Sequence, residues 1–520
     1  MVLKLDFTAA IVTRFSHLTI TCARWSPNGS FFAVTGQQMD MPQQERSVLH
    51  IVTAYGVKLT SLKVMCDSLN GCAWDPTGVK LALCAENQLY FANVRPRYKW
   101  GYCGQTVIYS YEKPDRSDYR VVFYETKLDE AFSKPIRNLE QIASYEDYCI
   151  IVNKQDDTMG MYLIQLCNGI GTCVDFKYVD VEPRCVGLNG TWAVIAGTES
   201  YFIWRFVVPK RNAMNLGRSA DIKEDTVHML DSTSMGNELG VRRKYCESGA
   251  LYKVALVDGS IINKYNITQN VVQIQLNSSK QRLATLDMSN QLQLFDLGET
   301  SVTKVPGADM KEVVDFCWDK VEIIVYCTST LLDLQEKDDS IAYISKQKLI
   351  VLRGREPEEG VPCEGLPLNS FCSSHFNYYF LYRYICSFCG LTVRTVLLDN
   401  FLLPNMKSDR KFVIDIEIKS FREAKVLLER VKIQEASEFI EKNPHPRLWS
   451  LLAEVALNKL DIPTAEHAYV MLQDYSGLQF CKRLQRILNN DVKRAEVAAH
   501  LGKLEEAERI YIDTDRRHAH

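Results

Sequence analysis

From the start of the chain to about Asn400, apolar residues come in short runs that alternate with polar ones or are nearly continuous in β-branched and aromatic character. Turn residues separate the runs, a pattern that predicts short strands and an all-β region. TCARWSPNGSFFAVTG places Trp25 at the close of one strand, Ser26-Pro27-Asn28-Gly29 as a turn, and residues 30–34 as the next strand. GCAWDPTGVKLALCAENQLYFANV repeats the scheme with Trp74, the turn Asp75-Pro76-Thr77-Gly78, a strand over 79–84, a second turn at Glu86-Asn87 and a strand over 88–94. The two tryptophans are 49 residues apart, close to the roughly 40–50 of propeller blades. Pro presets φ for the turn, Asn-Gly or Thr-Gly supplies its tight exit, and a Trp before it can cover the seam between neighbouring blades. A single blade leaves an apolar face bare, so blades imply a closed ring or a partner. Further blade-like units cover 106–126, 142–165, 191–207, 251–264, 271–297 and 341–352, and SSKQRLATLDMSNQLQLFDL is the clearest of them.

After Lys411 the period changes. SFREAKVLLERV, QEASEFIEKN, PRLWSLLAEVALNKL, PTAEHAYVMLQDY, LQFCKRLQRILNN, VKRAEVAAHLG and KLEEAERIYIDTD are apolar at helical spacing and are broken by Asn-Pro, Asp-Ile-Pro, Ser-Gly and Leu-Gly. They predict antiparallel helical hairpins. Small residues at Ala453, Ala456, Ala465 and Ala468 let paired helices approach closely, as in tetratricopeptide-like solenoids. A helix just before His520, without an obvious polar capping repeat, reads as a truncated array.

Composition narrows the function. With 61 Lys+Arg against 64 Asp+Glu, the net charge of -3 excludes a nucleic-acid binder driven by bulk charge. The 17 Cys are odd in number and spread along the chain, so they read as reduced thiols rather than a disulfide framework. MVLKLDFTAAIVTRF fits neither a signal nor a transit peptide, which points to the cytosol. The sequons at Asn28, Asn189, Asn266 and Asn277 then carry no weight. No run of 18 apolar residues offers a transmembrane segment; the aromatic stretch 371–391 comes nearest but contains His375, Asn377 and Arg383.

Reaction chemistry is hard to assemble. There is no phosphate-binding G-x-x-x-x-G-K-[ST], no H-E-x-x-H and no G-x-S-x-G. CNGIGTC at 167–173 lacks a third glycine and a following helix, and reads as a hairpin turn. Cys386-x-x-Cys389 could begin a zinc site with Cys363, Cys372 or His375, but its flanks read as strand, where residues three apart point to opposite faces. His445, in Asn443-Pro444-His445-Pro446, reads as part of a hairpin break rather than a base, because no nucleophile or carboxylate pair accompanies it. The VRRKYC run at 241–246 reads as a solvated loop. Catalytic, cofactor-binding and metal-binding residues are therefore expected to be none, and the protein is expected not to be an enzyme.

Residues 89–127, 164–183 and above all FIEKNPHPRLWSLLAEVALNKLDIPTAEHAYVMLQDYSGLQFCKRL (439–484), with LEEAERIYIDTDRR (504–517), resemble the WD-repeat, coat-like subunit of intraflagellar transport complex A. The block Asn443, Pro444, His445, Pro446, Arg447, Leu448, Trp449 is its most specific part, and with Trp25 and Trp74 it makes up the structural signature. The resemblance implies two β-propellers followed by a tetratricopeptide-like solenoid. On that plan 1–95 are the last blades of an incomplete first propeller, 96–400 the second propeller, 401–411 a linker and 412–520 the start of the solenoid, in a fragment or an incomplete gene model. Relative to the family pattern, 321–335 interrupt a blade, 366–383 interrupt the final strands, and a strand pair is missing before Glu247. The first two segments read as translated introns or as loop insertions. The resemblance further implies a non-enzymatic scaffold for retrograde transport, cilium assembly and ciliary entry of membrane proteins. Its partners would be other complex A WD-repeat and solenoid subunits, intraflagellar transport complex B, retrograde dynein and membrane-protein cargo. Its place would be the cilium and ciliary base, including axoneme and basal body, and the cytoplasm. A COPI-type vesicle-coat subunit shares the architecture and is the alternative.

Overall fold

The computed structural model describes residues 15–513 except 207–226, 230–249, 363–382, 402–408 and short loop positions. The described residues up to Met229 form consecutive antiparallel sheets, and those from Lys419 form helices. Contacts divide the chain into two compact units.

The first unit contains four-stranded meanders over 18–63, 100–137, 139–179 and 185–229, and a three-stranded one over 69–93. The first meander shows how the pattern sets the layers. Ser47–Thr53 is buried over six of its seven residues, whereas the outermost strand, Lys58–Lys63 (KLTSLK), is exposed throughout. A lysine at each end of that edge disfavours pairing with another chain. Ala33, Leu49 and Ile51 of this sheet share a core with Leu69, Leu81 and Leu83 of the next. Two further cores serve the three following sheets. Phe401, first residue of the segment read as a linker, is buried with its ring against Tyr109 and Tyr124, centroids 5.2 and 5.4 Å away.

In the second unit Val271–Leu276, Arg282–Asp287, Leu292–Leu297 and Val302–Met310 form another four-stranded meander, and Val313–Trp318 begins the next sheet. The first segment expected to interrupt a blade is itself part of a sheet: Ile324–Leu331 is hydrogen-bonded to Val313–Trp318 on one side and to Ser345–Arg353 on the other. The second segment, 366–383, lies outside the described residues apart from Arg383, which is buried and donates from Nη1 to Thr395 Oγ1 at 3.3 Å.

Three blades close on the same turn. The backbone N–H groups of Ser26, Asp75 and Asn277 bond the carbonyls of Phe31, Lys80 and Arg282 at 2.9, 3.0 and 3.0 Å. In return Ser26 Oγ, Asp75 Oδ1 and Asn277 Oδ1 accept from the N–H groups of those same partners at 3.0, 2.9 and 2.9 Å. A short polar side chain that satisfies the turn backbone is why Ser, Asp and Asn occupy this place. The fourth turn residue needs positive φ. It is Gly29 (φ 71) and Gly78 (φ 73) in two blades but Lys280 (φ 61) in the third.

The helical part is preceded by a strand. Residues 412 onward were expected to open the solenoid, but Val413–Glu417 (VIDIE) pairs with Thr392–Val396 as the third strand of a sheet. Helices follow as α1 (Lys419–Arg430), α2 (Ile433–Lys442), α3 (Pro446–Asn458), α4 (Ile462–Leu472), α5 (Tyr475–Gln485), α6 (Asn490–His500) and α7 (Leu504–Asp513). Ala453, Ala456, Ala465 and Ala468 are all buried in one core spanning α1 to α6. Ser476-Gly477, expected as a break, lies inside the first turn of α5 instead. The break falls at Gln473 (φ 58, left-handed), and Asp474 caps α5 by accepting from Gly477 N–H at 3.2 Å. Gly477 is there for packing: a Cβ on it would lie 2.2 Å from Tyr469 Cδ1 of α4.

Candidate interaction surfaces

Trp74 closes a blade seam. Its indole Nε1 donates to the carbonyl of Arg24, in the preceding sheet, at 3.0 Å. Trp318 repeats this with Gln275 at 3.2 Å. The acceptor carbonyl belongs each time to the residue two before the turn residue, Ser26 or Asn277, so the seam bond recurs in register. Trp25 occupies the equivalent position in the first sheet but stays 55% exposed, its ring tilted against Phe32 of the same sheet at 5.0 Å. Trp74 thus bonds across a seam, whereas among the described residues Trp25 packs within its own sheet. Trp318 escaped the sequence signature because no Pro-Gly turn follows it, although its 43-residue separation from Gln275 is blade-like.

The second signature block builds the α2–α3 corner. Asn443 ends α2, its Nδ2 donating to the Phe439 carbonyl at 3.2 Å. His445 is the N-cap of α3, with extended backbone (φ -155), and its Nδ1 accepts from Arg447 N–H at 3.0 Å. Pro446 then takes the first helical position, where a missing N–H costs nothing. His445 is buried, so its ring serves as a cap and packing element. Leu448 and Trp449 are buried in the helical core, Trp449 meeting the His467 ring edge-on at 5.6 Å. Arg447 lies over the Phe421 ring at 5.7 Å and approaches Glu454 at 3.6 Å. The whole block fixes one hairpin angle. It lies in the second unit and the two tryptophans in the first.

The buried carboxyl of Asp315 is structural. Burial raises the Asp315 carboxyl to about 6, opposed by the N–H groups of Ile385 and Phe316, which donate to it at 2.8 and 2.9 Å. The Ile385 bond fastens Tyr384–Cys389 to Val313–Trp318. Cys386 and Cys389 share this strand; burial pushes the Cys386 thiol well above its usual value, while Cys389 is exposed. The other proposed ligands, Cys363, Cys372 and His375, lie outside the described residues, as does the 241–246 run. Among the described residues no group of three or more His, Cys, Asp and Glu is placed to hold a metal ion, and no helix is long and apolar enough to cross a membrane. CNGIGTC is a hairpin: Asn168 Oδ1 accepts from the N–H groups of Ile170 and Thr172 at 3.2 and 2.9 Å, and Gly171 has φ 82.

What the helices offer is surface. Val470 and Met471 at the end of α4 and Tyr475 at the start of α5 are exposed, Tyr475 to 72%, and Leu488 between α5 and α6 is 98% exposed. Large apolar side chains exposed around successive helix corners suit contact with another protein chain. Sequence reading missed them, because helical periodicity accounts for the buried face and leaves outward apolar residues unmarked.

Residues 100–245 and 239–374, together just over half of the chain, match the family model described as the WDR35 second beta-propeller, and residues 448–518 match the IFT80/172/WDR35/WDR19 TPR domain. WD repeat-containing protein 35 of Rattus norvegicus is 34% identical over 531 residues, covering 95% of this chain and 42% of the rat protein. The Homo sapiens protein of the same name is 34% identical over 541 residues, with 95% and 43% covered. The chain therefore spans less than half the length of these curated relatives. Among solved structures, Hsv2 of Kluyveromyces lactis aligns over 62% of this chain and 99% of its own at 11% identity, with a TM-score of 0.33; a likeness that loose carries no argument.

Proposed function

The chain belongs to the WDR35 family of β-propeller and helical-repeat proteins, and from that membership we propose that it acts as a non-enzymatic scaffold subunit of intraflagellar transport complex A. It supports retrograde transport, cilium assembly and the entry of membrane proteins into the cilium. The observation that carries this reading is the order of the two family matches on one chain, a second-propeller match followed by a helical-repeat match. The sheets present loops on a rigid frame, and the solenoid presents extended surface for another subunit's helices. Binding energy then comes from broad contact rather than from a pocket. On this reading the partners are the other WD-repeat and solenoid subunits of complex A, with complex B, retrograde dynein and membrane-protein cargo beyond them. The places of work are the ciliary base and axoneme, with a cytoplasmic pool. The propeller boundaries at 95 and 400 belong to the same proposal.

The test is to disrupt the endogenous locus in a ciliated cell and follow cilia by live imaging. The expected result is short or swollen cilia in which returning trains stall and membrane proteins fail to enter. Normal cilia with disturbed Golgi traffic would instead place the chain with vesicle coats of the COPI type.

A further inference from the structure

Four thiols meet in the third and fourth sheets. Cys103, Cys149 and Cys167 are buried in one apolar cluster with Ile108, Val121 and Phe123, and Cys173 stands exposed at the start of the following strand. Cys149 pairs directly across the ladder with Cys167, and Cys167 with Cys173. Direct partners in an antiparallel ladder have Cα atoms about 4.5–5.5 Å apart, within the roughly 4.4–6.8 Å that a disulfide spans, and the ladder register shifts between Leu166 and Cys167, next to the second pair. The Cys173 thiol donates to the Asp175 carbonyl at 3.4 Å. The neighbouring Cys149 thiol is the largest influence holding the Cys167 thiol below its ordinary value, and the Lys134 charge and the Cys173 thiol act the same way against burial. Burial raises the Cys173 thiol first, and the neighbouring Cys167 adds to it.

We propose that Cys167 and Cys173 form an oxidation-sensitive dithiol, which a small hydroperoxide converts to a disulfide within the CNGIGTC hairpin. Cys173 is the point of entry, because it alone of the four is exposed. Cys173 Sγ, the exposed sulfur, gives its proton to water, and Cys167 enters as the thiol. The Cys173 thiolate attacks the terminal peroxide oxygen, the O–O bond breaks, and a sulfenic acid forms as the alkoxide leaves and is protonated to an alcohol. Cys167 Sγ then attacks Cys173 Sγ; the S–S bond forms, the S–O bond breaks, and hydroxide leaves with the remaining thiol proton as water. Two thiols are oxidised, one hydroperoxide is reduced, and the products are a disulfide, an alcohol and water. The hairpin is already pressed on its neighbour, since a Cβ on Gly171 would lie 2.7 Å from the Phe123 ring, so little backbone freedom opposes closure.

The other close pair illustrates what is special here. Cys72 and Cys22 lie 3.9 Å apart across the first two sheets, but burial pushes Cys72 up to about 12 and neither thiol is exposed.

To test the proposal, the full chain is reduced, exposed to hydrogen peroxide, trapped with iodoacetamide in denaturant and mapped as non-reduced peptides by mass spectrometry. The expected product joins Cys167 to Cys173, is lighter than the two thiol peptides by two hydrogens, and is reversed by dithiothreitol. Cys173→Ser, at an exposed position outside the core, should lose the linked peptide entirely while keeping the wild-type circular dichroism spectrum. Recovery of Cys167 and Cys173 as alkylated thiols while other cysteines oxidise would overturn the proposal. So would a Cys149–Cys167 link, or Cys173 accumulating as unpaired sulfinic acid.

Discussion

Gly477→Ala is an instructive perturbation, because helix propensity and packing pull it in opposite directions. In an exposed helix the change stabilises by about 1 kcal/mol. At this position the new Cβ would sit 2.2, 2.4 and 2.6 Å from Cδ1, Cε1 and Cγ of Tyr469. Those atoms belong to a buried ring, and Cγ is near its stem, so no flexible tip can give way. The ring would have to shift by about 1 Å, and overpacking of that size costs about 1–3 kcal/mol. The shift also weakens the bond between Tyr469 Oη and His500 Nε2, now 3.4 Å, a loss of about 0.5 kcal/mol. The net expectation is destabilisation by about 1–2 kcal/mol, localised to α4 and α5. Native-state hydrogen exchange reads this directly from the opening free energies of α5 amides. The decisive comparison repeats the change in a Tyr469→Ala background, where the obstacle is gone and Gly477→Ala should stabilise by up to about 1 kcal/mol. The same sign and size in both backgrounds would refute the packing role of Gly477.

Three further outcomes follow from other sites. His445→Ala should cost about 1 kcal/mol or more in the stability of α3, with lost packing added to the lost cap, while His445→Asn, which preserves an acceptor for Arg447 N–H, should recover much of it in the same exchange measurement. Lys280→Gly should raise the urea midpoint of the Val271–Met310 sheet by about 0.5 kcal/mol equivalent, because φ 61 strains a lysine but not a glycine. Asp315, held near 6 when folded against about 3.9 when unfolded, gives the folded state extra bound protons between those values. Stability from this group is therefore present at low pH and falls by about 3 kcal/mol as pH rises through that window. Urea titrations of wild type and Asp315→Asn at several pH values should show the variant losing least over this interval, and parallel curves would contradict it.

Local chemistry was the legible part of the sequence. The turns at Ser26 and Asp75 could be read because their acceptor side chain, Pro and Gly lie within a few residues of one another. The helices from α1 onward could be read from their apolar period, and the 443–449 block from the residue types of a helix stop and start. What required the fold was any role set by a distant partner. Trp25 and Trp74 look alike in sequence, yet among the described residues Trp74 bonds a carbonyl one blade away and Trp25 packs on Phe32 of its own sheet. Gly477 resembles a breaker until Tyr469 is placed against it. VIDIE at 413–417 alternates like a strand but sits beside a helical run, and only its partner Thr392–Val396 decides its state. The thiols at 149, 167 and 173 become neighbours only once strand register is fixed.

The claim that the chain is a ciliary transport scaffold is tested most directly by tagging the endogenous locus in a ciliated cell and identifying by quantitative mass spectrometry what co-purifies. The account predicts stoichiometric recovery of the other complex A WD-repeat and solenoid subunits, with the tag concentrated at the ciliary base and along the shaft. Recovery of vesicle-coat subunits in their place, with a Golgi pattern, would contradict it.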